Sequence, residues 1–364
     1  MAFFSPYDLR DLLVTINGTS LLVESLQLSH KLNEARVCSF VTRDANASGL
    51  CTLGAKVIVR LGKEQIRPAA GRSPNNPIVT FEGIIKTINP QEDIYTVTAF
   101  DYVTLLATSE QVDFSDAQYY KGWDAVAVIK DVIDVADVGI DTTAMIETSG
   151  ILVKDDWGIY DWKTRKAFID GIIQNMEHTL SDNFHDPFDP ITFKYGILDG
   201  TQMRVFSPTI KGAIKNPIMK LTNFENTAIV ASTDLSKMVN SCTVVSSLDS
   251  TIKDTYENKH SIKNHGVQSA LLSLPLPRKA DCYHTAFAYV EARKDPTITY
   301  NIELPSFLWF DLGNLVELEV PTLRSGEILP IVGYNIRMGD SITTTLTMGD
   351  ESLTTSQIIK ELIN

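Results

Sequence analysis

Between His178 and Asp189 the chain sets two histidines, His178 and His185, among three aspartates, Asp182, Asp186 and Asp189. Imidazole nitrogens and carboxylate oxygens together suit a divalent cation, so this run is where a metal-dependent hydrolase would have its site. The spacing argues otherwise. No i,i+4 pair spans the two histidines, and Pro187 and Pro190 mark a loop. The run reads as an acidic turn after a helix, with the hydrolase as the alternative. Asp155-Asp156 beside Trp157, with Trp162 nearby, pairs acid with aromatic as a sugar site does. Adjacent carboxylates on a strand point apart, however, and glycoside hydrolysis needs two carboxyls held about 5–10 Å apart across a cleft. The four cysteines, Cys38, Cys51, Cys242 and Cys282, form no CxxC and no zinc-site spacing with histidine. They read as small buried hydrophobes of a reducing compartment. GxSxG, P-loop, HExxH and EF-hand motifs are absent, as is a GxGxxG at a strand–helix junction. The residues thus predict no catalytic group, no cofactor and no bound metal.

The elements that would have to position any chemistry belong to a chain of 364 residues, 44% hydrophobic, enough for two to three domains. Lys and Arg number 32 against 45 Asp and Glu, a formal net charge of −13. Phosphate binding needs a basic excess on one face, so sequence-specific nucleic-acid binding is excluded, and an acidic surface that DNA slides past without sticking fits better. The charge is uneven: about −2 over residues 1–115, −6 over 116–215 and −5 over 216–364. No run approaches the ~20 apolar residues of a membrane span. Met1 to Leu12 carries Asp8, Arg10 and Asp11 and no apolar h-region, so no signal peptide is expected and synthesis in the cytoplasm is.

Residues 1–115 read as β. Leu12–Ile16 and Ser20–Val23 flank Asn17-Gly18, a hairpin signal. Strands follow at Arg36–Val41, Ala55–Leu61, Val79–Ile88 and Ile94–Phe100, interrupted by a Pro- and Asn-rich loop, Gln65–Pro77, that carries Arg67 and Arg72. Those arginines either dock a partner or are simply solvated. The middle, 116–232, changes period. Trp123–Ala136 and Thr164–Leu180 are amphipathic helices, and Ile191–Tyr195 and Gln202–Phe206 flank a turn at Asp199-Gly200, making an α/β unit. Residues 233–352 return to β: Val239–Ser246, a polar surface insertion Ser250–His265, a helix Arg278–Arg293 ended by Asp295-Pro296, then strands Thr297–Leu304, Leu315–Val320, Ile328–Ile336 and Thr343–Met348. A short helix closes the chain in 353–364, with Ile358, Ile359 and Leu362 as an apolar stripe that docks on this chain's own body or on a partner.

The two β regions resemble each other. Leu53-Gly54-Ala55-Lys56-Val57-Ile58-Val59 aligns with Leu312-Gly313-Asn314-Leu315-Val316-Glu317-Leu318, and Phe81-Glu82-Gly83-Ile84-Ile85 with Ile331-Val332-Gly333-Tyr334-Asn335. Tyr95-Thr96-Val97-Thr98 then aligns with Thr345-Leu346-Thr347-Met348. Three blocks in the same order point to a duplication.

Short motifs give these regions a family likeness. Arg36-Val37-Cys38-Ser39-Phe40, Phe81-Glu82-Gly83-Ile84-Ile85, Tyr95 to Tyr102, and the late run Tyr300 to Pro305, Leu312 to Val316 and Gly333 to Ile336 resemble the central hub proteins of phage tails and related contractile injection systems, the XkdQ-like and late-control-protein-D-like group. Asn314 stands where the family has Asp. The resemblance implies an α+β, mainly β chain with two tube-like β-barrels separated by an α/β domain. It implies a homotrimer whose six barrels adapt the six-fold tail tube to a three-fold spike or fibre and line a DNA channel in the virion. Implied partners are the tail tube or distal tail protein above, spike, fibre or other baseplate proteins below, and the tape measure protein. It brings no catalytic motif. A distal tail protein, a hexameric ring with one such barrel per chain, is the alternative within the same particle.

Overall fold

Period-two burial builds the first sheet. In the computed structural model, which describes residues 12–61, 78–108, 120–154, 164–183, 194–197, 201–206, 219–222, 228–235, 238–274, 276–291, 293–304, 312, 315–319, 327–339 and 341–349, strand β1 (Leu12–Ile16) turns through Asn17 and Gly18, both at positive φ, into β2 (Thr19–Leu21). This is the hairpin the Asn-Gly pair predicts. β3 (Ser25–Lys31) and β4 (Val37–Thr42) bury every second side chain, among them Leu26, Leu28 and His30, then Cys38, Phe40 and Thr42. Helix α1 (Ala47–Leu50), β5 (Lys56–Leu61), the long β6 (Ile78–Gln91), β7 (Ile94–Phe100) and α2 (Val103–Thr108) complete the first region.

The middle contributes α3 (Ala125–Ala136), α4 (Arg165–Asn183) and a hairpin, β8 (Lys194–Ile197) with β9 (Met203–Phe206). Asp124 caps α3 by accepting from the Val126 and Ala127 amides, and it also ties down Thr148, Ser149 and Gly150. Partial burial works to raise this carboxyl, but the hydrogen bonds outweigh it and hold it below the ordinary range. On α4 the predicted apolar stripe Phe168, Ile169, Ile172, Ile173 and Met176 is buried.

The remaining elements are β10 (Met219–Thr222), β11 (Ala228–Asp234), β12 (Ser241–Ser246), β13 (Lys253–Glu257), α5 (Lys259–His265), β14 (Ser269–Leu274), α6 (Lys279–Glu291), β15 (Thr297–Leu304), β16 (Leu315–Glu319), β17 (Glu327–Met338) and β18 (Ile342–Gly349). A 13-stranded sheet runs β11-β15-β18-β17-β3-β4-β7-β6-β5-β1-β2, with β16 on β17 and β10 parallel on β16. The fold is α+β and mainly β, as expected.

Two compact units divide the chain: residues 1–176, 192–229 and 301–348 in one, and 177–191, 230–300 and 349–364 in the other. In the second, α6 covers the sheet β13-β12-β14, and Cys242, Val244, Cys282, Ala286 and Val290 form its core. Ser250–His265, expected to be a polar surface insertion, supplies a strand and a helix of this unit. Its strand alternates exposed Lys253, Thr255 and Glu257 with half-buried Asp254 and Tyr256: Tyr256 packs its ring on Phe287 and donates its hydroxyl to Glu291. All four cysteines are free and buried, in keeping with the sequence reading.

The duplication is visible in strand order. β5-β6-β7-β4-β3 and β16-β17-β18-β15-β11 are the same path. Both repeats bulge at one place, between Ile85 and Thr87 against β7 and between Ile331 and Gly333 against β18. Lys56 pairs with Ile84 and Leu315 with Pro330, so the Leu-Gly blocks align as the sequence suggested. A cross-strand polar contact recurs as well, Ser39 to Thr98 at 3.1 Å and Thr347 to Asn301 at 2.9 Å.

The mid-strand glycines are not equivalent, and this corrects the sequence alignment. Register places Gly333 at Thr87, four residues beyond Gly83, and Thr347 at Thr98, so the Thr-rich block also shifts by one. Each glycine answers its own crowding. A Cβ on Gly83 would lie 2.2 Å from the Phe100 carbonyl oxygen, whereas one on Gly333 would lie 3.2 Å from that of His30. Gly83→Ala is therefore expected to cost about 1–3 kcal/mol through overpacking, with Gly333→Ala clearly milder. Equal losses in chemical denaturation would contradict this register.

Candidate functional site

Asp101 follows β7 and Arg36 precedes β4, and both side chains are almost wholly buried. Asp101 Oδ2 accepts from the Arg36 amide at 2.9 Å and from Nε at 3.3 Å, while Oδ1 accepts from the Val103 amide and so begins α2. The guanidinium also donates to the Thr80 carbonyl on β6 and lies over the Phe81 ring. Burial pushes the Asp101 carboxyl upward, and the guanidinium with the two amides pulls it back. These residues stand in the motifs that carried the family likeness. Their role is architectural, joining three strands and a helix.

The turn after β3 makes a second polar knot. Asn33, at φ 58°, exchanges backbone and side-chain hydrogen bonds with Tyr195 of β8. The Tyr195 hydroxyl donates to Asp170 of α4 at 2.7 Å, and Lys166 pairs with the same carboxylate. Burial, then the Asp170 charge, raises the Tyr195 phenol well above its ordinary value, so it serves as a fixed donor.

β3 pairs antiparallel with β17 from Lys31 opposite Gly333 to Leu26 opposite Met338, which joins the two repeats edge to edge. A pocket of 220 Å³ sits on this junction, lined by His30, Lys31, Glu34 and Tyr334 among others. His30 packs edge-on against Tyr334, and its buried Nε2 has no hydrogen-bond partner among the described residues. Burial, and then the Arg36 charge, holds this imidazole well below its ordinary value, so it is neutral in the folded chain.

The sequence-predicted residues fall elsewhere. α4 extends to Asn183, three residues further than expected, so His178 and Asp182 lie on a helix four residues apart. His185, Asp186 and Asp189 lie outside the described residues, as do Asp155, Asp156, Trp157, Trp162, Arg67, Arg72, Ile358, Ile359 and Leu362. Among the described residues no group of three or more His, Cys, Asp or Glu could hold a metal ion, and no helix is long and apolar enough to cross a membrane. Sequence reading passed over β3. Its apolar residues are spread singly among polar ones, and the alternation of Leu26, Leu28 and His30 was the available signal.

His30 makes stability depend on pH. The unfolded imidazole takes up a proton below about pH 6.5 while the folded one does not, so stability is full above that value and falls on acidification. The limiting slope is about 1.4 kcal/mol per pH unit. Urea titrations between pH 7 and pH 5 should show this loss, and His30→Phe should flatten it. An unchanged slope in the variant would remove His30 from the account.

No protein-family model matches the chain, and no curated protein matches it by sequence. Solved structures do match by fold. A tail protein from Neisseria meningitidis superposes with a TM-score of 0.63 at 10% identity, covering 94% of this chain and 96% of that one. A 43 kDa tail protein of prophage MuSo2 from Shewanella oneidensis gives 0.62 at 9% identity, covering 93% and 99%. Prophage tail protein gp18 from Listeria monocytogenes gives 0.54 at 13% identity, covering 97% and 98%. At these identities the likeness is one of fold.

Proposed function

We propose that this chain is a non-enzymatic structural protein of a virion, the central hub of a phage tail tip or baseplate. The carrying observation is the duplicated five-strand path within one chain, its two copies joined through β3 and β17. Two pseudo-equivalent modules per chain turn a three-fold assembly into six similar positions, which is what an adaptor between a six-fold tube and a three-fold spike or fibre requires. The near end-to-end fold likeness to tail proteins supports the same reading. Residues 1–115 and 233–352 would then be the two tube-like barrels, the latter carrying the inserted unit and taking in β11 from Ala228 onward, with the rest of 116–232 as the α/β domain between them and 353–364 as a terminal brace. The net charge of −13 suits a channel wall that DNA passes without adhering. Tail tube or distal tail protein would bind above and spike, fibre or baseplate proteins below, with the tape measure protein as a further partner.

Light scattering after size exclusion tests the assembly. The expected mass is three times 40.4 kDa, with rings on imaging. A hexamer would replace the hub with the distal tail protein. A second measurement bears on the hydrolase alternative: EDTA should leave the melting temperature unchanged, and a lowered one would point to a bound cation at His178–Asp189.

A further inference from the structure

Within the chain, the junction between repeats follows a rule that the outer repeat edges leave unfinished. β3 of the first repeat lies on β17 of the second, and the register sets Tyr334 opposite His30 and Ile336 opposite Leu28. The equivalent of β17 in the first repeat is β6. There Ile88 and Pro90 take the places of Tyr334 and Ile336, by the shared bulge. From Lys86 to Gln91, β6 pairs with β7 alone among the described strands, since β5 reaches only to Ile84. Gln91 and Ile94 close a two-residue hairpin, so the amides of Gln91, Asn89 and Thr87 face β7, and the backbone groups of Ile88 and Pro90 face outward. The equivalent of β3 in the second repeat is β11, which ends the sheet order with β15 as its described neighbour. Side chains from Val230 to Thr233 are exposed.

Among the described strands, one chain therefore carries one unpaired acceptor edge and one donor strand paired on a single side, the two halves of a junction it has already made once internally. We propose, building on the hub reading, that the Lys86–Gln91 edge of β6 receives β11 of a second copy of this chain, in the antiparallel sense of β3 on β17. Such a contact is heterologous: each copy gives β11 to one neighbour and takes it from the other, so the junction propagates until the ring closes. Pro90 has no N–H to donate, so the ladder is shorter than the internal one. Pro90 and Lys86 also guard this edge against indiscriminate strand addition.

Cysteine scanning tests the pairing, because the four native cysteines are buried. Asn89→Cys would be combined in turn with Val230→Cys, Ala231→Cys, Ser232→Cys and Thr233→Cys in the full chain, then oxidised. Intermolecular disulfides are expected at alternate positions of the scan, at least several-fold above the positions between and above Asn89→Cys alone, because side chains alternate along a strand. The mass of the unsubstituted chain separates the two ideas. A trimer without any such cross-link overturns this pairing and leaves the hub reading standing, and a chain that stays monomeric at every concentration overturns the pairing directly.

Discussion

A single buried ion pair holds the first repeat to its shape. Arg36 and Asp101 are taken almost entirely out of water, which is costly unless each finds full compensation. The backbone supplies part of it, through the Arg36 and Val103 amides on the carboxylate and the Thr80 carbonyl on the guanidinium, and the carboxyl still stays raised by burial. The pair can exist only when the start of β4, the end of β7, the start of α2 and β6 are all in place. Removing one partner from such a pair would strand a buried charge, a penalty of about 3–5 kcal/mol. The polar residues of a motif that looks like a functional signature thus set the fold's geometry.

The rest of the first unit grows from that frame. With β4 set, β3 lies beside it, and β3 carries two attachments at once. Its ladder binds β17, and the turn after it, at Asn33, binds Tyr195 and through it Asp170. At the junction, burial and the Arg36 charge keep His30 neutral. The second unit is a separate solution. Its sheet of three strands under α6 lies in sequence between β11 and β15, the counterparts of β3 and β4, where the first repeat has only a short turn. An insertion there leaves the repeated path intact.

Much of the fold was legible in the residues, because it depends on local rules. Asn17-Gly18 set a hairpin by backbone conformation alone, and the stripes on α3 and α4 announced their buried faces through a 3.6-residue period. The Leu-Gly blocks found the true equivalence of β5 and β16. Where reading failed, the deciding forces were not local. β3 looks polar because its apolar residues alternate, and it is a strand because two neighbours fill both its edges. Ser250–His265 is the polar surface insertion its composition indicates, but that polarity hid the strand and helix it forms, because only alternate residues of β13 are covered. Gly83 and Gly333 invited alignment because both are glycines in strands, yet Gly83 lies hard against the Phe100 backbone and Gly333 only closely against that of His30.

The sequence by itself determined the class of the molecule: acidic, mainly β, duplicated, with cysteines placed as buried hydrophobes and with no catalytic motif. Period, turn chemistry and charge are properties of residues and near neighbours, so they survive without coordinates. Tertiary structure decided the register between the repeats, the burial of Arg36 with Asp101, the neutrality of His30 and the edges of β6 and β11 that no other described strand pairs with. Each of these depends on residues up to some three hundred positions apart meeting at one place, and only the packed chain can bring them there.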